Sequence, residues 1–171
     1  MNCPNCGAAL QAVANRTHLR CPYCQSLHFP EPVAEGVVPL DQDHALDCPC
    51  CQRRLSSAAL DGDTVGYCTA CRGILLSSDH FAQVIAQRRE VKARRHRRVE
   101  PIDAAEFRRI TLCPRCGRRT DTHTYGGGGN AVIDSCHRCQ LVWLDAGELT
   151  VLEQFPARAP TVPVPDELTE T

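Results

Sequence analysis

Lysine, methionine and tryptophan each occur once in this chain, with only three tyrosines and four phenylalanines beside the tryptophan. So few large side chains argue against one sizeable apolar core for 171 residues. No run of residues approaches the ~18 consecutive apolar positions of a membrane span. The opening stretch, MNCPNCGAAL, has no basic segment followed by a long apolar one, so no secretory signal is read there. Neither sign of charge dominates: 19 Lys plus Arg face 20 Asp plus Glu, and net charge names no partner. A cytoplasmic protein with reduced thiols, no membrane and no small-molecule substrate is the expectation.

What the chain has is cysteine: thirteen, of which twelve form six C-x-x-C pairs. These are Cys3/Cys6, Cys21/Cys24, Cys48/Cys51, Cys68/Cys71, Cys113/Cys116 and Cys136/Cys139. Taken two by two, the pairs are separated by 14, 16 and 19 residues. That spacing is the pattern of four-thiolate zinc sites. Zinc takes four ligands in a tetrahedron, and a tight turn delivers two thiolates from one knuckle. A hairpin of the intervening length brings the second knuckle opposite the first. Proline follows the first cysteine in CPNC, CPYC, CPRC and CPCC, fixing the backbone at the turn. Gly7 and Gly117 permit the positive φ at the knuckle's exit. The expected cofactor is Zn2+, three per chain. Iron also accepts four thiolates, and it is the alternative at the first site, where Tyr23 and Phe29 are the only aromatic residues to shield it. An interleaved ligation, with the first pair sharing a metal with the third, is the rival to sequential sites.

The second and third modules repeat each other at an offset of 68 residues. In CHRCQLVWLDAGEL, Asp145 at an N-cap and Glu148 three residues on form a capping box, with Leu144 and Leu149 as a hydrophobic staple. A helix over about 146–155 follows. In CTACRGILLSSDHF, Ser77 is the cap, Leu76 and Phe81 the staple, and His80 stands in place of the glutamate. Both modules resemble the bacterial transcription-factor zinc-finger family, a zinc ribbon named for its likeness to the ribbon of the general transcription factor TFIIB. Its pattern is a CPxCG knuckle, a hairpin, a C-x-x-C-x-G knuckle and a WLDxGEL tail. The third module has Leu141 at the usual Gly; the second keeps Gly73 but lacks the Trp, Asp and Glu. The resemblance covers 48–87 and 111–155 and implies zinc binding through those eight cysteines. The first module matches only the broad zinc-ribbon pattern.

The fold class expected is therefore small, metal-stabilised β: three sequential four-cysteine zinc ribbons, the second and third each followed by a short docked helix, with a basic helical connector. The segments are ribbon one at 1–30, a Pro/acidic linker read as a hinge at 31–46, and ribbon two with its helix at 47–87. A basic connector follows at 88–110, ribbon three with its helix at 111–155, and a Pro-rich tail at 156–171. Twelve of the nineteen basic residues fall within 88–119. Arg88, Arg89, Lys92, Arg94, Arg95, Arg97 and Arg98 are the candidates for contact with nucleic-acid phosphate. The competing reading is a solvated helix in an arginine-biased sequence. The run GGGG at 126–129 lacks the Lys and Ser/Thr of a phosphate loop and reads as a hairpin tip. No catalytic constellation emerges, so no enzyme is expected. The leading expectation is a scaffold or adaptor for a protein partner or larger assembly. Direct nucleic-acid binding is second, and iron or thiol redox chemistry third. Cys50, inside CPCC, is expected to be a free surface thiol, its pKa lowered by Arg53 and Arg54.

Overall fold

The computed structural model describes residues 1–13, 18–92, 102–125 and 131–154. The first module is a three-stranded antiparallel sheet of two-residue strands in the order β1 (Gln11–Ala12), β2 (Leu19–Arg20), β3 (Leu27–His28). A 3-10 turn at Ala34–Gly36 then leads into β4 (Val38–Asp47). Residues 31–46, expected as a hinge, thus hold a turn and most of a ten-residue strand. Val37, Val38 and Leu40 are buried, and their burial outweighs the prolines and acids that suggested a linker. Pro39 is tolerated because β4 is the sheet's edge, and its pairing with β5 carries two register shifts. The first module docks here: Cys3, Leu10, Leu19 and Cys21 pack with Val38, Leu40 and Ala59.

The second module supplies β5 (Arg54–Leu60), β6 (Asp63–Tyr67), β7 (Ile74–Ser77) and α1 (Ser78–Lys92). The third supplies β8 (Asp121–Thr124), β9 (Val132–Cys136), β10 (Leu141–Leu144) and α2 (Glu148–Leu152). All seven long strands form one sheet, β4-β5-β6-β7-β10-β9-β8. Its centre is the antiparallel pairing of β7 with β10, in which Leu75 faces Trp143. Those two residues are also equivalent in the 68-residue repeat. Ile74 pairs with Leu144, and Leu76 with Val142, so the offset that relates the modules also maps one pair onto the other. The modules are therefore related by a local two-fold axis through Leu75 and Trp143. Register agrees on both sides, since Tyr67↔Ile74 in the second module corresponds to Ser135↔Val142 in the third.

The helices cover the core. Phe81, Val84 and Ile85 of α1 pack with Leu76, Ile133, Val142, Leu144, Leu149 and Leu152. The helix spacing of 81, 84 and 85 places them on one stripe, and each large apolar side chain so buried contributes about 1.5–3 kcal/mol. Ser77 caps α1 as expected, its Oγ accepting the His80 N–H at 3.2 Å. At α2 the expectation needs correction. The helix spans Glu148–Leu152, and the residue before it is Gly147 at φ 94°, with Asp145 not acting as cap. Half of the capping box forms, the Asp145 N–H donating to Glu148 Oε2 at 2.7 Å. The Asp145 carboxylate is taken elsewhere, accepting from Trp143 Nε1 and Arg109 Nη1. The connector is helical to Lys92 and then, within 102–110, carries a 3-10 turn at Glu106–Arg108. Among the described residues no helix is long and apolar enough to cross a membrane.

Candidate metal centres

Each C-x-x-C pair sits on a backbone turn that aims both sulfurs to one side. In five of the six knuckles, the N–H after the second cysteine donates to the carbonyl of the first, from Gly7, Gln25, Gln52, Arg72 and Gly117, at 2.7–3.0 Å. The donor residue has positive φ in every case, as does Gln140 after Cys139. The two glycines meet this requirement without strain, whereas Gln25, Gln52, Arg72 and Gln140 hold a left-handed conformation that costs an ordinary side chain about 1 kcal/mol or more. The sixth knuckle, CHRC, closes through Cys139 N–H to the Cys136 carbonyl at 3.2 Å. Backbone N–H groups also reach sulfur, from Cys24 to Cys21, Cys51 to Cys48 and Cys71 to Cys68.

The hairpins bring the knuckles together as three quartets: Cys3/Cys6/Cys21/Cys24, Cys48/Cys51/Cys68/Cys71 and Cys113/Cys116/Cys136/Cys139. Within each, all four sulfurs lie within 4.8 Å of one another. The grouping is sequential, which disposes of interleaved ligation. Cross-knuckle separations are 3.6 Å for Cys3–Cys24, 3.4 Å for Cys6–Cys21, 3.6 Å for Cys48–Cys71 and 3.8 Å for Cys116–Cys136. A tetrahedron with metal–sulfur bonds of about 2.3 Å has edges of about 3.8 Å. A disulfide would need about 2.05 Å. The residues therefore fit a four-thiolate metal ion, and all thirteen cysteines are free thiols.

Metal binding requires thiolates. Taken by themselves, the thiols share that charge unevenly. Ser26 Oγ, the largest influence on Cys3, helps lower its thiol to about 5. Against the Ala8 N–H, neighbouring thiols and burial push Cys6 up to about 12, and burial first pushes Cys139 up to about 12. The backbone N–H of Arg118 leads in lowering Cys116 to about 7. The leading cysteine of each knuckle is buried, but the second differs by site: Cys51, Cys71, Cys116 and Cys139 are half-buried, whereas Cys6 and Cys24 are exposed. Quartets two and three join one buried cluster with Leu55, Leu75, Leu141 and Trp143. Tyr23 and Phe29, the aromatic residues weighed for iron, are 81% and 71% exposed and form no shell round the first quartet.

Cys50 stands outside its quartet and is exposed, as expected. Its surroundings correct the expected pKa. The Sγ lies 3.7 Å from Asp145 Oδ1. Although the residue is exposed, desolvation of the sulfur by the atoms packed beside it, followed by the Asp145 carboxylate, pushes the thiol up to about 12.

Of the candidate phosphate contacts, Arg88 and Arg89 are engaged within the fold. Arg88 clamps Asp61 through Nε and Nη2 at 2.6 and 3.1 Å, and its Nη1 reaches the Glu35 carbonyl and Glu153. Arg89 donates to the Leu152 carbonyl at 2.9 Å and lies over the Tyr125 ring. The Lys92 side chain and Arg94, Arg95, Arg97 and Arg98 lie outside what is described, as do the GGGG tip and the tail at 156–171.

Three groups escaped the sequence reading. Asp134, buried in β9, accepts from Arg109 and from the hydroxyls of Thr111, Thr120 and Thr122. Glu35 accepts the N–H groups of Gly147 and Thr150 at 3.0 Å each. His28 stands beside the first quartet, its Nε2 3.4 Å from Cys3 Sγ. Comparison of the chain with family models, with curated proteins and with solved structures finds no match, so the likeness to the zinc-finger family rests on the motif residues alone.

Proposed function

We propose that the chain is a zinc-binding, non-catalytic adaptor built from three zinc ribbons that hold a surface for a protein partner or larger assembly. The observation that carries the reading is the geometry of the quartets, three complete four-thiolate sets at the edge lengths of a zinc tetrahedron. Four protein ligands fill a zinc ion's coordination, the mark of a structural rather than a catalytic site. Zinc suits this donor set better than iron because nothing aromatic covers the exposed first quartet. The engagement of Arg88 and Arg89 in internal contacts removes two cations from the nucleic-acid alternative.

Elemental analysis of the purified chain tests the metal: three zinc ions per chain and no visible absorption are expected, in Cys50→Ser as in the parent. A red chromophore, or fewer than three ions, sinks the zinc reading. Affinity purification from the native host, with and without nuclease, tests the adaptor. A stoichiometric protein partner that survives nuclease supports it, and recovery of nucleic acid alone sinks it.

A further inference from the structure

The first quartet differs from the other two in having a histidine at its edge. Cys24 ends its knuckle turn, Gln25 after it is left-handed, and Ser26 and His28 follow at the entry to and the end of β3. The turn thereby brings Ser26 and His28 back beside the sulfurs. Ser26 Oγ lies 3.0 Å from Cys24 Sγ and 3.4 Å from Cys3 Sγ. His28 Nε2 lies 2.9 Å from Ser26 Oγ and 3.4 Å from Cys3 Sγ. In a tetrahedral zinc site of mixed thiolate and imidazole ligands, the sulfur–nitrogen edge is about 3.6 Å. His28 Nε2 therefore stands at a ligand's distance from Cys3, on the side where Cys3 and Cys24 share an edge of 3.6 Å.

The other described histidines are committed elsewhere. His44 meets the Leu46 N–H, His80 the Leu60 carbonyl, His123 Ser135 and His137 Asp121, while His18 packs on Phe29. Exposure points to the same corner of the site. Cys24 is open to solvent, whereas Cys3 and Cys21 are buried. Of the two exposed ligands, Cys6 and Cys24, it is Cys24 that lies beside Ser26 and, through it, His28.

We propose that His28 is the reserve ligand of the first metal site, taking the fourth position through Nε2 when Cys24 leaves the metal. The inference rests on the reading of this quartet as a zinc site. With the quartet intact, His28 and Ser26 are hydrogen-bonding neighbours of the sulfurs, and Ser26 keeps the imidazole beside the site. With Cys24 removed, the set becomes Cys3, Cys6, Cys21 and His28. Among the described residues neither of the other quartets has a histidine beside its sulfurs, so tolerance of chemistry at an exposed thiol through a nitrogen donor is expected of the first.

The test uses the full chain loaded with zinc and, separately, with cobalt. Cys24→Ala is expected to hold three ions. Its cobalt spectrum is expected to show weaker sulfur charge-transfer intensity than the parent and ligand-field bands moved to shorter wavelength, as one thiolate gives way to nitrogen. Cys24→Ala/His28→Ala is expected to hold two. Cys71→Ala, made together with Cys50→Ser so that the free thiol cannot substitute, and Cys139→Ala are expected to lose an ion each. Two ions in Cys24→Ala, whether from a vacant site or an unfolded first module, overturn the proposal. Three ions in the double variant also overturn it. Fewer than three in the parent chain would instead overturn the zinc reading beneath it, so the two failures are told apart by the parent's count.

Discussion

At the scale of single residues, the side chains that join the modules are those no local pattern reveals. Glu35 caps a helix 112 residues away, its two oxygens receiving the Gly147 and Thr150 N–H groups. It does so from a left-handed backbone position at φ 62°, which a glutamate occupies only at some cost. Because each N–H bond to a carboxylate is charge-assisted, Glu35→Ala should destabilise the zinc-loaded chain by about 1–2 kcal/mol in denaturant titration. Glu35→Gln should fall between, since the amide oxygen still accepts. Glu148 gives a second expectation. Burial, foremost, raises its carboxyl from 4.5 to about 8. Between those values the folded chain holds a proton that the unfolded chain has lost, so stability is favoured at the acidic end and declines as pH rises through the window. A thiolate-bound metal ion is lost in acid, so the measurement belongs between about pH 6 and about pH 9 with the metal in excess. Glu148→Gln should flatten the decline there; an unchanged slope would place its origin in another group. The cysteine quartets, by contrast, were legible because their geometry is local: each pair and its turn lie within five consecutive residues. Glu35, Arg88 and Asp134 were not, because their partners come from distant segments.

At the scale of elements, the sequence reading found the knuckles, the hairpins and the α1 cap but not how the modules meet. Leu76 and Leu144 were read as staple positions for the helices that follow; nothing local says that Ile74–Ser77 and Leu141–Leu144 are strands that complete each other's sheet. The asymmetry of the repeat becomes intelligible at that junction. The second module has Gly73 where the third has Leu141, and Leu75 where the third has Trp143. A Cβ on Gly73 would lie 2.2 Å from Trp143 Cζ2, so the indole of one module occupies space left by the glycine of the other. Leu141 and Leu75 share the same buried cluster on the symmetric side, a smaller residue there answering a larger one. Gly73→Ala should therefore cost roughly 1–3 kcal/mol by overpacking, and Trp143→Leu a similar amount or more by cavity formation. The double variant should cost less than the sum, with a coupling of roughly 1–3 kcal/mol in a double-mutant cycle. Strict additivity would mean the two positions do not share this space.

At the scale of the whole molecule, two of the three cysteine quartets are parts of one core. Quartets two and three sit in a single cluster whose middle is Trp143, and their strands meet at the two-fold pairing of β7 with β10. The first quartet belongs to a separate, smaller cluster against the β4 edge. In modules of this size metal-binding energy is folding energy, so losing either central ion should loosen the sheet that supports the other. The loss at the first site should stop at the edge. The chain carries its own reporter, because the only tryptophan is 2% exposed at the junction of the central pair. In Cys68→Ser, the Trp143 emission should shift to the red and zinc should fall by more than one ion, or the remaining ion at quartet three should leave at lower chelator concentration than in the parent. In Cys21→Ser, one ion should be lost with Trp143 emission unchanged. Chelator titration of the parent should then show two steps, one silent to Trp143 and one that it reports. If Cys68→Ser loses a single ion while Trp143 and the third quartet behave as in the parent, the central modules are independent. The shared sheet would then join them without coupling their stability.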